Sequence, residues 1–360
     1  MTTLRLVFMG SCGFALRIVQ RVQQDFPICG VFTAPPRPKG RGYAIQRTCV
    51  HDYAESMGWP VWTPATFKDE SAVADLRNLN PTVVIVASYG LLLPQCVLDI
   101  PRAGCVNVHP SILPRWRGAS PLVYPILTGD TETGVAIMVM DSGMDTGPVL
   151  VQKYLPIVGR MTTAVLAEQL ANMGAAALCK VLPDYLKGRL IPIPQSPEGG
   201  TLAPKIQKEM GLLNWSESAW TLLRKIDALQ PWPGTWGMIN GQKVTILQAD
   251  AVNCPGSGNT AQDCIQPFTM GSDVNPNDSN IKNSGAKHPE HSMVGSLGAL
   301  GNFNGANLFD AVGTIVSCGQ FWAIVCGERT LLCPTQLRSS RGKIMDAAAF
   351  RRGHGTILSL

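Results

Sequence analysis

Three polar side chains stand where two strand ends can bring them together. Asn107 and His109 lie in the run Asn107-Val108-His109-Pro110-Ser111-Ile112-Leu113-Pro114-Arg115-Trp116-Arg117-Gly118, and Asp145 in Asp141-Ser142-Gly143-Met144-Asp145-Thr146-Gly147. A carboxamide offers two N–H donors and no charge, which suits an oxygen that turns negative only during a reaction. An imidazole can give or take a proton at neutral pH. Asp145 sits in a glycine-rich turn, with no Lys or Arg between Asp130 and Gln152 to neutralise it. Taken singly, each has a plain structural use: a turn-forming Asn, a hydrogen-bonded His, a turn-capping Asp. Together they form a constellation of the kind a reaction needs. No nucleophile elbow accompanies them, because Ser111 is followed by Ile-Leu-Pro rather than lying in Gly-x-Ser-x-Gly. Direct acyl transfer suits the set: the amide and imidazolium steady an oxyanion, while the carboxylate holds the imidazole and helps remove an amine proton. The residues alone leave the substrate open.

Side chains in such roles need rigid ends to stand on. Residues 83–87, Val-Val-Ile-Val-Ala, read as a fully buried strand whose run stops at Gly90, and residues 104–108 read as its neighbour. In an open parallel sheet, ligands sit just beyond such carboxyl ends. Residues 4–9, 28–33 and 60–63 supply further parallel strands separated by helix-length segments, the first helix covering 14–23. Gly10 and Gly13 are read as tight strand-to-helix packing, since a lone Gly-x-x-Gly is a weak phosphate signal. Strands near 134–140 and 149–155 lead to a helix over about 162–186. The expected architecture is an α/β, Rossmann-like domain with a parallel-rich sheet over residues 1–190, a Pro-rich linker over 191–207, and a second domain over 208–360. That second domain reads as small and all-β after one helix at 218–229, with strands at 241–247, 313–317, 321–326 and 330–333. A polar Gly/Asn/Ser-rich insertion at about 251–310 interrupts it.

Gross composition bounds the reading. A chain of 360 residues can bury two cores, and its net charge of +5 permits a nucleic-acid partner without demanding one. Residues 311–360 are more telling, with six Lys/Arg against two acids, a local net of +4. Eleven cysteines are scattered, mostly in apolar runs, and no Cys-x-x-Cys points to zinc or a redox pair. His288 and His291 stand without Cys or carboxylates around them, so no metal is expected. The chain opens on its first strand with no room for a signal peptide, and no run of about 18 apolar residues reads as a membrane span. A reduced cytoplasm and no membrane partner are expected.

The stretch 107–121, Asn-Val-His-Pro-Ser-Ile-Leu-Pro-Arg-Trp-Arg-Gly-Ala-Ser-Pro, taken with 132–147, Glu-Thr-Gly-Val-Ala-Ile-Met-Val-Met-Asp-Ser-Gly-Met-Asp-Thr-Gly, resembles the signature of the folate-dependent formyltransferases, and within them the tRNA-directed branch. The resemblance covers roughly residues 4–250 and 311–353; Ile112 replaces a common Leu at constant apolar volume. It implies transfer of a formyl group from 10-formyltetrahydrofolate to the α-amino group of methionine on initiator methionyl-tRNA, with Asn107, His109 and Asp145 catalytic; a monomer is expected, although no residue pattern sets the oligomeric state. It also implies an oligonucleotide-binding-like (OB-like) β-barrel for the carboxy-terminal domain. Folate is expected beside Ser88, Tyr89, Gly90, Leu91 and Leu92, with Ser111, Leu113, Pro114, Val139 and Asp141 completing an apolar pocket in which backbone polar groups hold the pterin. The loop Arg37-Pro38-Lys39-Gly40-Arg41-Gly42, in a stretch with no acid between Asp25 and Asp52, resembles the loop that meets the acceptor end of tRNA. Arg37, Lys39, Arg41, Lys205, Arg338 and Lys343 are the expected tRNA contacts.

Three other readings use the same residues. A formyltetrahydrofolate hydrolase would hand the group to water and should lack the basic loop. A sugar-nucleotide or glycinamide-ribotide formyltransferase shares the triad, but the carboxy-terminal segment argues against it. A non-catalytic RNA-binding protein would have no use for all three polar side chains.

Overall fold

The computed structural model describes residues 4–39, 44–253, 312–318, 321–339 and 342–353. They fall into two compact units, Met1–Ile206 and Gln207–Leu360. The first runs β1 (Leu6–Gly10), α1 (Gly13–Asp25), β2 (Ile28–Phe32), β3 (Arg37–Lys39), β4 (Ala44–Gln46), α2 (Cys49–Ser56), β5 (Val61–Trp62), α3 (Glu70–Asn78), β6 (Val83–Ala87), α4 (Gln95–Leu98), β7 (Cys105–His109), α5 (Tyr124–Thr128), β8 (Glu132–Val139), β9 (Val149–Pro156) and α6 (Thr163–Leu186).

Seven of these strands make one sheet in the order β5-β2-β1-β6-β7-β8-β9. The first five are parallel, and β8 and β9 are added antiparallel. Every residue of β1, β6 and β7 is buried, as expected of strands covered on both faces. Strand order reverses beside β1, with β2 on one flank and β6 on the other, and this switch point is where an open α/β sheet forms its crevice. Gly10, at the end of β1, allows the close approach: a Cβ there would lie 2.6 Å from Ala15 Cβ and 2.8 Å from the Ala87 carbonyl oxygen. Gly13 has no such crowding, so only the first glycine answers the packing expectation.

Helix α6 packs against α1 and the β7–β9 side of the sheet through Leu166, Leu170, Ala171, Ala175, Leu178 and Leu182. Its Gly174 brings the helix onto Val108 and Val135, where an added Cβ would lie 2.6 Å and 3.0 Å from their methyls. The expectation that no segment matches a membrane span is corrected here. By length and composition α6 does, but half of that window is buried, and its apolar face is the lining of this sheet.

The stretch expected as a linker is also different from a free connection. Residues 193–203 lie along the first unit: Ile193 and Val149 exchange backbone hydrogen bonds of 2.8 and 2.7 Å, and Leu202 bridges in parallel to Arg117. The start of the basic stretch is likewise not a coil, because β3 pairs antiparallel with β4.

In the second unit, α7 (Ala219–Leu229) precedes β10 (Thr235–Ile239), β11 (Gln242–Asn253), β12 (Ile315–Cys318), β13 (Phe321–Cys326), β14 (Thr330–Arg338), β15 (Ile344–Asp346) and α8 (Ala347–Gly353). The strands form one antiparallel sheet in the order β10-β11-β14-β13-β12, with β15 on β14. Leu222 and Ile226 of α7 pack with Ile246, Ile324, Leu332 and Leu337 of the sheet and with Phe350. The insertion at 251–310 lies outside the described residues from 254 onward, as do His288 and His291.

Candidate active site

Strand β7 presents Asn107 and His109 two residues apart and hence on one face. Val106 and Val108 take the opposite face, where Val108 meets α6. Ladders on both flanks hold this backbone, Asn107 pairing with Val86 and Met138 and His109 with Ala136. Asn107 is 9 % exposed and His109 4 %. Among the described residues the Asn107 carboxamide has no hydrogen-bond partner, which leaves it available to a ligand.

Beyond His109 the chain folds back. Ser111 N–H donates to the His109 carbonyl (2.9 Å), Ser111 Oγ to the Arg115 carbonyl (2.7 Å), and Arg115 N–H to the Ile112 carbonyl (3.0 Å). This return sets the Trp116 carbonyl 3.0 Å from His109 Nε2. A carbonyl can only accept, so Nε2 carries a hydrogen whether the ring is neutral or charged, and Nδ1 is the atom left to exchange a proton. Nδ1 faces Asp145 Oδ1 at 3.7 Å. That separation is too long for a direct hydrogen bond and short enough for charge pairing. The other Asp145 oxygen accepts from Gly118 N–H at 2.8 Å. Asp145 adopts φ 54°, a left-handed conformation that Asp tolerates better than most residues.

Trp116 is itself anchored. Its indole Nε1–H donates to Asp130 Oδ2 (2.8 Å), and its backbone N–H donates to Thr201 Oγ1 (3.0 Å). Arg115 forks onto both Asp130 oxygens at 2.9 and 2.7 Å and lies 4.3 Å over the Trp116 ring. Burial would raise the Asp130 carboxyl, but the hydrogen bonds from Arg115, Trp116 and Thr128 outweigh it and hold it below the usual carboxylate value. Gln195, from the stretch expected as linker, accepts from Arg117 Nε (3.0 Å) and Nη2 (2.6 Å) and donates to the carbonyls of Asp145 and Gly147 (2.8 Å each). Sequence reasoning passed over Asp130 and Gln195. The one signal for Gln195 was a lone amide inside a proline-rich run, Ile-Pro-Ile-Pro-Gln-Ser-Pro.

The expected folate residues divide into two groups. Ser88 and Gly90, at φ 44° and 88°, face solvent at the carboxyl end of β6, Leu91 is half-buried, and Leu92 is 80 % exposed. Pro114 and Val139 are partly exposed. Three side chains do not line a surface: Tyr89 is packed in the core against Phe67, Ser111 has its hydroxyl committed to Arg115, and Leu113 packs on Ala136 and Met138. Their side chains are already packed or bonded, which leaves the backbone as what these three residues present. Among the described residues the Tyr89 hydroxyl has no partner, and burial pushes its titration up. Asp141 Oδ1 already accepts from Gly143 N–H (3.0 Å) and Thr146 Oγ1 (2.7 Å), so it shapes the loop that carries Asp145.

Of the expected tRNA residues, Arg37 is exposed on β3, Lys39 shares that strand, and Arg41 lies outside the described residues. Lys205 is exposed in the first unit, and Arg338 and Lys343 are exposed around the β14–β15 turn of the second. Among the described residues no His/Cys/Asp/Glu group could hold a metal ion, and Cys12, Cys29, Cys49, Cys96, Cys105, Cys179, Cys326 and Cys333 are free. A cavity of about 160 Å³ lined by Phe32, Trp62, Thr63, Asp69 and Asp75 shares no residue with the His109–Asp145 pair.

Residues 5–182 match the formyl transferase family and residues 205–355 its C-terminal domain. The doubly wound sheet with a His–Asp pair at its carboxyl edge is therefore a formyl transferase fold. The methionyl-tRNA formyltransferase of Paramagnetospirillum magneticum is 44 % identical over 258 residues, covering 71 % of this chain and 84 % of its own. That of Acidiphilium cryptum is 44 % identical over 265 residues, covering 72 % and 86 %. The chain belongs to the methionyl-tRNA formyltransferase family. In fold it is similar to the N-formyltransferase from Helicobacter canadensis, solved in complex with folinic acid and dTDP-3-aminofucose, with TM-score 0.59, 14 % identity, and coverage of 92 % of this chain and 99 % of that one.

Proposed function

We propose that this chain transfers the formyl group of 10-formyltetrahydrofolate to the α-amino group of methionine on initiator tRNA, in the cytoplasm, without a metal. The observation that carries the reading is the approach of His109 Nδ1 to Asp145 Oδ1, 3.7 Å, beside the unpartnered amide of Asn107. Family membership supports the acceptor, since the curated relatives are methionyl-tRNA formyltransferases.

The folate supplies a formyl group whose carbon the methionine amine attacks. Asn107 donates its N–H groups to the oxygen on which negative charge develops. His109, with Nε2 tied to the Trp116 carbonyl, meets that charge or exchanges a proton through Nδ1. Asp145 lies beside Nδ1, where it stabilises the imidazolium and accepts the amine proton directly or through water. The formyl C–N bond to the folate then breaks, and the departing nitrogen keeps the electron pair and takes a proton, giving formylmethionyl-tRNA and tetrahydrofolate.

The exposed backbone at Ser88 and Gly90 beside the exposed Leu92 fits a flat heterocycle that needs both apolar contact and amide partners. Leu91, Pro114, Val139 and Asp141, with the backbones of Tyr89, Ser111 and Leu113, complete the proposed folate site. Arg37 and Lys39 of β3, Arg41 a little further along the chain, Lys205, and Arg338 and Lys343 of the second unit are proposed to meet tRNA phosphates. Such contacts position the nucleic acid without reading its sequence.

Formyl transfer from 10-formyltetrahydrofolate is measured in separate reactions with methionyl initiator tRNA, a nucleotide amino-sugar and water as acceptors. Formylmethionyl-tRNA as the dominant product supports the reading. Formate release indifferent to tRNA would replace it with a hydrolase.

A further inference from the structure

We infer that Gln195 is a positioning residue for the reaction, setting the place of Asp145 through its backbone, and that residues 193–203 are part of the catalytic framework rather than a tether. The inference rests on the proposed role of Asp145.

The amide of Gln195 is fully committed in one direction. Its Nε2 donates to the carbonyl oxygens of Asp145 and Gly147 at 2.8 Å each, and its Oε1 accepts from Arg117 at 3.0 and 2.6 Å. All four bonds join segments 48 to 78 residues apart in sequence, and each holds a neighbour of the His109–Asp145 pair. On one side Gln195 fixes the loop that must keep Asp145 at φ 54°, a conformation costly for a residue with a side chain. On the other it fixes Arg117, whose successor Gly118 donates its N–H to Asp145 Oδ2 at 2.8 Å. The carbonyl of this aspartate is thus held directly by Gln195, and its carboxylate by Gly118, the residue that follows the Arg117 whose side chain Gln195 also holds.

The rest of the segment extends the same frame. Thr201 receives the Arg117 N–H on its carbonyl at 2.9 Å and the Trp116 N–H on its hydroxyl at 3.0 Å. Ala203 donates to the Arg117 carbonyl at 2.7 Å and accepts from Ser120 at 3.0 Å. This short parallel ladder holds the chain whose Trp116 carbonyl fixes His109 Nε2. A side chain that places a reacting group without touching substrate should alter turnover far more than binding.

The test is a double-mutant cycle in single-turnover formyl transfer with the full-length protein: wild type, Gln195→Leu, Asp145→Asn and the double variant. Gln195→Leu is expected to lower the transfer rate by about 10- to 100-fold, since small misplacements of a reacting group reach that size. KM for folate and for tRNA should stay within about threefold, because neither binding surface is altered. In the Asp145→Asn background the same substitution should cost less than about threefold, the non-additivity of residues acting through one another. An unchanged rate in Gln195→Leu, or an equal loss in both backgrounds, would overturn the inference. Near-normal transfer by Asp145→Asn would instead overturn the reading of the site itself. Should Gln195→Leu fail to fold, Gln195→Glu enters the same cycle, because it keeps the acceptor for Arg117 and loses both donors to the loop.

Discussion

Asp130→Ala is expected to destabilise the first unit and to do so in a pH-dependent way. The carboxylate accepts four hydrogen bonds, two from Arg115, one from the Trp116 indole and one from Thr128. Thr128 is exposed and the Arg115 side chain is 44 % exposed, so both can turn to water, and the fork contributes at most about 1 kcal/mol. Trp116 is only 8 % exposed, and its N–H would be left buried and unpaired at a cost of about 1–3 kcal/mol. Together the loss is about 2–4 kcal/mol, or about 5–15 °C in melting temperature for a unit of this size. Asp130→Asn can keep one oxygen on the indole and should cost less than half as much. The pH dependence follows from linkage. A carboxyl held below its ordinary value contributes stability that is present above the unfolded value and is lost as pH falls through the folded one. The gap between wild type and Asp130→Ala in urea or thermal melts should therefore be flat from pH 7 to about 4 and narrow below that. Equal melting of the two proteins at pH 7, or a gap that widens in acid, would refute the assignment.

Gly147→Ala should lower the melting temperature by about 3–10 °C, because its Cβ would lie 1.9 Å from the Val139 carbonyl oxygen and the backbone must shift, at about 1–3 kcal/mol; an unchanged melt would mean that the loop is looser than described. Arg37→Ala should reduce the slope of log affinity for tRNA against log salt by about 0.7–0.9, with the rate at saturating tRNA unchanged, as a phosphate contact requires. Thiol reagents at pH 8 should label the exposed Cys12 and Cys96 in the native protein. Cys105, Cys326 and Cys333, each pushed up to about 12 mainly by burial, should react only on unfolding, which peptide mapping reads directly.

The strands of the first sheet were legible because both of their faces are buried. Runs such as Val83–Ala87 carry no polar residue, and the helices between them show their own period. The same logic found Asn107 and His109, since polar residues at the end of an apolar run need a reason. What escaped has a common cause. The hairpin of Arg37–Lys39 with Ala44–Gln46 is a short exposed pair with no apolar face to announce it. Gln195 and Asp130 act through contacts 14 to 78 residues distant in sequence, which no local pattern encodes. For Tyr89 and Ser111 the loop position says nothing of the side chain, because backbone turns send one into the core and the other back onto Arg115. The apolar composition of Thr163–Leu186 reads as a buried helix only once the sheet beneath it is known.

The central claim is that Asn107, His109 and Asp145 act together on a formyl group. Its most direct test is the single-turnover rate of formylmethionyl-tRNA formation by Asn107→Ala, His109→Ala and Asp145→Asn, with folate affinity measured on the same preparations. Each substitution should lower the rate by about 10²- to 10⁴-fold while folate affinity changes by less than about tenfold. A variant that transfers formyl at the wild-type rate, or one whose whole loss lies in folate binding, would contradict the account.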